Sequence, residues 1–480
     1  MPLETLKTFK GGHYFDLYEG TPRFERLERL PPPDRVTVFL KPGVGEAVKP
    51  QVEVGDRVKT GQIIGRDDEV VSTPIHASIS GEVVEIEERP HPLGGEATAV
   101  VIESDGEDSW ETLAEAGGAF ERKSQEELGE LLYLGGVTDI GRTGFPTPFN
   151  SAQTEPGNVK YLVINAVETE PYLEAEDQLI YEEFEKFFTG IRIMRTALGN
   201  VEVHVGIGYN KPRIIEELET RIQHLDWFYI HPLRPKYPQG EDDVLLRTLL
   251  DLYVPTEPTR GYTTDVGAVV VDVQYLVAAY DAVILGRPFV ERTTSISGSA
   301  LQHTGNFWVR VGTPLKALLS DRLIEEQVGV ILLGGPIRGH AQESLEAPVL
   351  KNTQAVTVLK RPTRELLAFV KPGFDRSSYT GVFPPVPGGD KAKQADVGLH
   401  GEPRECVRCG YCFDVCPVDI SPIFLARYAQ HEMFDRAQDL NIFACIDCGL
   451  CSYVCPSKIP LAALIKEGKE KLERQMMEGQ

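Results

Sequence analysis

The chain has 480 residues, 41% hydrophobic and 25% charged, with a formal net charge of −23. The length suggests three or four domains, and the composition is that of a globular protein. The acidic balance excludes non-specific binding to nucleic acid or to an anionic membrane surface.

Met1–Lys10 is short and mixed, without the apolar core of a signal peptide. No run approaches the roughly 18–20 apolar residues of a membrane span. The chain is therefore expected to be soluble by itself, with other subunits supplying any membrane attachment. Residues 1–34 read as an irregular arm with a Gly11-Gly12-His13 turn and a stiff Pro31-Pro32-Pro33 connector. Residues 35–108 alternate Val and Ile with Gly-Asp turns, which predicts a small antiparallel β unit. The pattern resembles the biotinyl/lipoyl-like barrel-sandwich hybrid. Ile75-His76-Ala77 stands where that family carries its modified lysine, so no swinging arm is expected and His76 reads as structural.

Residues 115–290 alternate helical and strand patterns, as in an α/β domain. A helix is predicted at Gln125–Leu134, strands at Tyr161–Asn165, Val201–Ile207 and Val266–Val273, and a helix near Ala175–Phe188. Residues 291–360 read as a β-grasp domain, in which Arg292, His303 and Arg338 look isolated. Residues 361–398 are rich in Pro and Gly and read as a linker. Residues 399–480 form a cysteine module, with amphipathic helices at Pro422–Glu432 and Asp435–Leu440 and a charged helix near Ile465–Met477 read as a solvated face.

All eight cysteines lie between 406 and 455, which points to a local metal site in a reducing compartment rather than to disulfides. Cys406, Cys409, Cys412 and Cys416-Pro417 make one C-x2-C-x2-C-x3-C-P run, and Cys445, Cys448, Cys451 and Cys455-Pro456 repeat it. Three closely spaced thiolates wrap one corner of an iron–sulfur cubane. In two-cluster ferredoxins the fourth comes from the other run. That rule assigns Cys406, Cys409, Cys412 and Cys455 to one [4Fe-4S] cluster, and Cys445, Cys448, Cys451 and Cys416 to the second. Two structural zinc sites are the alternative; they leave the third cysteine of each run unexplained.

The order of parts, with Phe9-Lys10-Gly11-Gly12-His13, Asn165 through Tyr172, Tyr237-Pro238-Gln239-Gly240, Asp265-Val266-Gly267, Gly334-Gly335-Pro336 and the cysteine runs, resembles the RnfC family of the Rnf electron-transport complex. That family is similar in its centre to the flavin- and NADH-binding subunit of respiratory complex I. It is also similar to the NqrA-type subunit of the sodium-pumping NADH:quinone reductase. The resemblance implies a multidomain α+β fold and a peripheral subunit at the cytoplasmic face of the cell membrane. Its partners would be membrane-embedded and peripheral subunits of a redox complex, with ferredoxin a further candidate. It implies FMN and NADH beside the clusters. The corresponding cofactor positions are Gly141, Arg142 and Gly144 in the glycine loop, then Asn165, Glu168, Glu170 and Lys211. Arg142 and Thr143 replace the family's glycine and alanine, and Asp272 stands where asparagine is usual. Two other readings follow from these departures. One is an electron-wiring subunit whose NADH site has decayed, with Glu168 and Glu170 merely capping the next helix; the other is a soluble cobalamin-reductase-like flavoprotein.

Overall fold

A computed structural model describes residues 6–15, 20–22, 26–41, 46–67, 69, 72–137, 158–168, 170–361 and 404–478. The glycine loop (140–147) and most of the 361–398 segment lie outside these residues.

The arm contributes β1 (Glu28–Arg29). The barrel-sandwich part follows, with β2 (Arg35–Phe39), β3 (Arg57–Val58), β4 (Ile63–Gly65), β5 (Ile75–His76), β6 (Gly81–Pro90) and β7 (Glu96–Ser104). Its antiparallel sheet runs β2-β7-β6-β3, beside the small β4-β5 pair. Alternation puts Val36, Val38, Val83, Val100 and Ile102 into one core. His76 is buried there and its Nε2 meets the Leu134 carbonyl at 2.9 Å. Burial pushes its pKa down to about 3, with the Lys351 charge adding to the effect. It is a structural histidine, as expected from its lack of metal-binding neighbours.

Helix α1 (Gln125–Leu134) starts at Ser124, whose Oγ accepts from Glu127 N–H at 3.2 Å while Glu127 accepts from Ser124 N–H at 2.6 Å. The α/β domain then alternates β8 (Tyr161–Ala166), α2 (Ala175–Glu182), α3 (Phe184–Ala197), β9 (Glu202–Gly208), α4 (Pro212–Ile222), β10 (Phe228–Leu233), α5 (Asp242–Leu250), β11 (Ala268–Asp272) and α6 (Val273–Leu285). The helix expected near 175–188 is two helices, broken at Glu183 (φ −115°, ψ 36°). All four strands are parallel, in the order β10-β9-β8-β11. The chain therefore reverses direction across the sheet between β8 and β11. The crevice at the carboxyl ends of such strands is where doubly wound sheets bind ligands.

The next sheet comprises β12 (Glu291–Ser297), β13 (Gly305–Arg310), helix α7 (Leu315–Leu319), β14 (Val328–Leu333), β15 (His340–Gln342) and β16 (Ala355–Lys360). Its order is β13-β12-β16-β14-β15, with first and last strands adjacent and parallel, which is β-grasp connectivity. The arm's β1 adds to its edge beside β13.

The cysteine module is an internal duplication with an offset of 39 residues, 406 to 445 and 416 to 455. Helices α8 (Tyr411–Asp414) and α9 (Pro422–Gln430) correspond to α11 (Leu450–Tyr453) and α12 (Leu461–Glu478), with α10 (Phe434–Asp439) between the halves. Positive φ recurs at matching positions: Arg408 and Asp447, Gly410 and Gly449, Asp419 and Lys458. Helix α12 is more than the solvated face expected of it. Ile465 and Leu472 are buried, and Lys469 pairs with Asp447 and donates to the Cys445 carbonyl at 3.0 Å.

The arm and the Tyr237 segment clamp this module to the α/β domain. Gly12 N–H donates to the Val415 carbonyl at 2.8 Å, and the Tyr237 hydroxyl donates to the Cys448 carbonyl at 2.7 Å. His13 and Tyr237 exchange backbone hydrogen bonds at 2.8 and 2.9 Å. Gly11 has φ +73°, and a Cβ there would lie 2.5 Å from the Cys416 carbonyl oxygen. Gly11→Ala is therefore expected to lift the arm off the cluster loop. The expected result is faster loss of visible absorbance on air exposure than wild type shows; an unchanged rate would remove the clamp from the explanation of cluster stability.

Candidate functional site

Two constellations stand out, one built on thiols and one on carboxylates. The thiols divide by mutual electrostatics. Cys412 is pushed up to about 11, by burial first and then by Cys409 and Cys455, with Cys406 adding a smaller push. Cys455 is raised by burial, and Cys409 and Cys406 add to it. In the other set Cys448 is raised by burial and then by Cys445 and Cys416. Cys451 feels burial, then Cys448, Cys445 and Cys416. Each group of four thus draws three thiols from one run and the fourth from the other. Cys412 also acts on Cys451, so the two groups adjoin.

Main-chain donors address the sulfurs. The N–H groups of Val418, Ile420 and Asp419 lower the pKa of Cys416 against the larger effect of burial, and those of Ile459 and Ser457 do the same for Cys455. The positive-φ residues of each loop turn the backbone so that successive amides face inward. Thiolates crowded together repel one another. Iron bound there would offset that repulsion by its positive charge and hold the ligands in the deprotonated form. The spacing argues against zinc. Tetrahedral zinc with 2.3 Å bonds needs sulfurs about 3.8 Å apart. Among the described residues, the metal-capable set whose ligand atoms all fall within 4.8 Å of one another is Glu168, Glu174 and Asp177, and it contains no cysteine. The donor set and its amides fit iron–sulfur cubanes.

The carboxylates lie at the carboxyl ends of β8 and β9. Lys211 is buried and pairs with Asp177 and, at 3.5 Å, with Glu168. Glu174 is pushed up to about 8, first by burial and then by Glu168 and Asp177, and Asp177 to about 7 by burial against the pull of Lys211. Glu168, Glu174 and Lys211 edge a cavity of about 90 Å³ that also meets Phe15, Lys236 and Tyr237. These carboxylates suit a ligand rich in hydroxyl and N–H donors. A folded-state pKa above the unfolded value makes an acid destabilising as pH rises, here from about 4.5 to about 8 for Glu174. Glu174→Gln is therefore expected to raise the thermal midpoint at pH 8 and leave it nearly unchanged at pH 5. Equal effects at both pH values would show that the acid is ionised throughout.

Asn165 does not line this cavity, and Glu170, which does, is held by protein partners. Asn165 Nδ2 donates to the Gly240 carbonyl at 2.7 Å and braces the Tyr237–Gly240 segment. Glu170 accepts from the N–H groups of Ile337 and Arg338 at 2.9 and 3.1 Å and from Arg338 Nε at 3.1 Å. Nor do the two glutamates cap α2. Ser295 Oγ, from the β-grasp sheet, accepts from Glu174 and Ala175 N–H at 3.0 Å each. Arg338 is likewise no isolated residue, since its Nη1 also pairs with the buried Glu241 at 2.5 Å. Arg292 is fully buried, donates to the carbonyls of Thr293 and Lys351, and lies beside Glu176 and Asp272. His303 is exposed. Asp272 caps α6 by accepting from Tyr275 N–H at 2.8 Å, a role asparagine also fills. Ser295, Glu174, Asp177 and Glu241 were missed in the sequence; the first partners a helix 120 residues away and no local pattern marks it. Gly141, Arg142 and Gly144 lie outside the described residues.

Three family models match the chain: the RnfC barrel sandwich hybrid domain over residues 7–107, the Nuo51 FMN-binding domain over 134–281 and the 4Fe-4S dicluster domain over 400–456. Over 441 residues the chain is 32% identical to the RnfC-type subunit of the proton-translocating ferredoxin:NAD(+) oxidoreductase complex of Clostridium ljungdahlii, covering 90% of this chain and 87% of that one. It is 29% identical over 473 residues to the corresponding subunit of the Na(+)-translocating ferredoxin:NAD(+) oxidoreductase complex of Acetobacterium woodii, with 98% of each chain covered. It is 33% identical over 476 residues to the corresponding subunit of the ion-translocating oxidoreductase complex of Pseudomonas aeruginosa, covering 98% of this chain but 57% of that longer one.

Proposed function

Because the chain belongs to the RnfC family, we propose that it is the iron–sulfur electron-transfer subunit of an Rnf-type oxidoreductase complex. The observation that carries this reading is the division of eight thiols into two sets of four, each completed across the duplication. Cys406, Cys409, Cys412 and Cys455 would hold one [4Fe-4S] cluster, and Cys416, Cys445, Cys448 and Cys451 the other. Such clusters accept and release single electrons at potentials set by hydrogen bonds to sulfur and by exposure. The chain's own contribution is to hold the thiolates, to aim the amides of Val418, Asp419, Ile420, Ser457 and Ile459 at them, and to keep Cys416, Cys445 and Cys448 from solvent.

No helix among the described residues is long and apolar enough to cross a membrane. We infer that other subunits of the complex seat this one at the cytoplasmic face of the membrane. Glu168 and Glu174 line the cavity within the stretch matching the Nuo51 FMN-binding model, which supports a role in accepting from hydroxyl or ring N–H donors. About 90 Å³ holds the edge of a ring system, by the ~30 Å³ share of one water. The Gly141–Gly144 loop would supply the rest of a flavin site, including its phosphate contacts. The engagement of Asn165, Glu170 and Lys211 with protein partners supports a second reading, in which the subunit wires electrons between its neighbours without oxidising NADH itself.

The test is anaerobic purification, acid release of flavin read by fluorescence, then addition of NADH with the visible cluster absorbance followed. Flavin near one per chain and bleaching by NADH are expected of the first reading. Neither flavin nor bleaching, with the clusters still reducible by dithionite, would leave the wiring reading alone. Absence of iron would remove both.

A further inference from the structure

We propose that the small cavity between the barrel-sandwich part and the β-grasp domain is a carbon dioxide site, at which the Lys351 amine takes up CO2 as a carbamate. The cavity encloses about 30 Å³. That is roughly the share of one water in the liquid, so it admits a ligand of only a few atoms. Val38, Val311 and Val349 give it apolar walls, while Thr37, Lys41, His76, Lys351 and Asn352 bring polar groups to it. No acid is among the described residues that line it.

The cavity sets an amine beside a base. Lys351 Nζ donates to the Gly136 carbonyl at 2.9 Å. His76 is only 3% exposed, and its Nε2 lies 2.9 Å from the Leu134 carbonyl. A carbonyl only accepts, so Nε2 carries the proton and Nδ1 carries a lone pair. Among the described residues, no hydrogen-bond partner meets that Nδ1. Gly136 touches both groups: its carbonyl takes the amine, and a Cβ on it would lie 2.9 Å from His76 Nδ1. Burial alone pushes the Lys351 amine down to about 7. A desolvated amine of this kind is unprotonated in large part at neutral pH and is a nucleophile.

The Nζ lone pair attacks the carbon of CO2, and a C–N bond forms. One C=O π bond opens to an oxygen anion, and the nitrogen loses a proton by way of His76 Nδ1 to water. Nothing is oxidised or reduced. The remaining N–H keeps the Gly136 carbonyl as its acceptor. The carbamate oxygens require donors and a counter-charge, and the Lys41 ammonium, the Asn352 amide and the Thr37 hydroxyl are available on the cavity wall. A protonated Lys351 has no acid on that wall, whereas its carbamate has a lysine. CO2 also enters uncharged, which an apolar wall favours, and the size of the cavity excludes larger electrophiles. A response to CO2 at this junction is separate from the clusters and from electron transfer.

The experiment equilibrates the full chain, with both clusters in place, with carbon-13-labelled CO2 at fixed pressure without oxygen. Carbamate is read by NMR, then trapped with triethyloxonium and located by peptide mass spectrometry. An adduct on Lys351 is expected, with occupancy that rises as the pH is raised through about 7. The exposed Lys316 is the internal control and is expected to stay unmodified. Lys351→Met should remove the corresponding resonance, and Lys41→Gln should weaken CO2 uptake about tenfold. Iron content and thermal midpoint verify that each variant is folded. Absence of an adduct on Lys351 in wild type, or an adduct no greater than that on Lys316, overturns the proposal. Equal uptake by wild type and Lys41→Gln overturns the assignment of Lys41 as counter-ion.

Discussion

Cys448→Ser is expected to leave about four irons per chain where wild type holds about eight, and Cys416→Ser is expected to remove the same cluster. Cys448 sits in the second run and Cys416 in the first, so linear proximity makes the opposite prediction. The electrostatic neighbours of Cys448 are Cys445 and Cys416, whereas those of Cys455 are Cys409 and Cys406. Cys455→Ser should therefore strip the cluster of the first run. The two sets also differ in surroundings: Cys416, Cys445 and Cys448 are buried, while Cys406, Cys409 and Cys412 are half-exposed. Exposure and hydrogen bonding to sulfur set cluster potential, so the surviving cluster of Cys416→Ser should differ in midpoint from that of Cys455→Ser. Iron analysis with electron paramagnetic resonance of the reduced variants reads both effects. Identical spectra from Cys416→Ser and Cys412→Ser would refute the crossing of ligands. So large an effect is expected because a serine hydroxyl is a poor ligand beside three thiolates, and a cubane missing one firm corner is lost during purification.

The cysteine module was the most legible part of the chain because its chemistry is local. Spacing fixes which thiols can reach one iron corner, and the 39-residue duplication shows the second half repeating the first, down to the positive-φ positions at Arg408 and Asp447. Helix α1 was legible for the same reason, with Ser124 and Glu127 three residues apart. The parallel strands β8, β9 and β11 read correctly because a buried strand is a short apolar run whatever its neighbours are, whereas β10, half-exposed along much of its length, was not read. The carboxylate site was legible in part. Asn165, Glu168, Glu170 and Lys211 were named; Glu168 and Lys211 pair at the ends of β8 and β9, while Asn165 and Glu170 bind other segments of the chain. Their partners were not foreseeable, because Gly240, Arg338 and Asp177 come from distant segments or from the next helix. An arginine in a β-rich stretch carries no mark that it will meet two acids from another domain, and Lys469 in a lysine-rich helix carries none that it will touch a cluster loop.

Arg338→Ala is expected to destabilise the protein by about 3–5 kcal/mol, since it leaves buried carboxylates without their counter-charge. Glu170 and Glu241 are 7% and 2% exposed, and both pair with this one guanidinium, at 3.1 and 2.5 Å. Burial is the largest influence opposing the charge on Arg338, yet its pKa is raised well above the ordinary value by Glu241 first, with Tyr237 and Glu170 adding to it. Arg338→Lys should rescue little, because an ammonium is a point donor and cannot address two carboxylates in the fork geometry. Arg338→Met with Glu170→Gln and Glu241→Gln should recover much of the loss, since replacing every charge of a buried network is far milder than removing one. Glu170 also binds the Ile337 and Arg338 main chain, so this network joins the end of β8 to the β-grasp sheet. Unfolding followed by circular dichroism should accordingly become broader in Arg338→Ala, as the two domains lose their shared transition. A midpoint within about 1 °C of wild type, where a loss of 1 kcal/mol alone moves it by roughly 2–4 °C, would show that the two acids need no partner. In that case the β-grasp domain is held to the α/β domain by the hydrogen bonds of Ser295, Thr293 and Asn306 to α2 and α6 and by apolar packing.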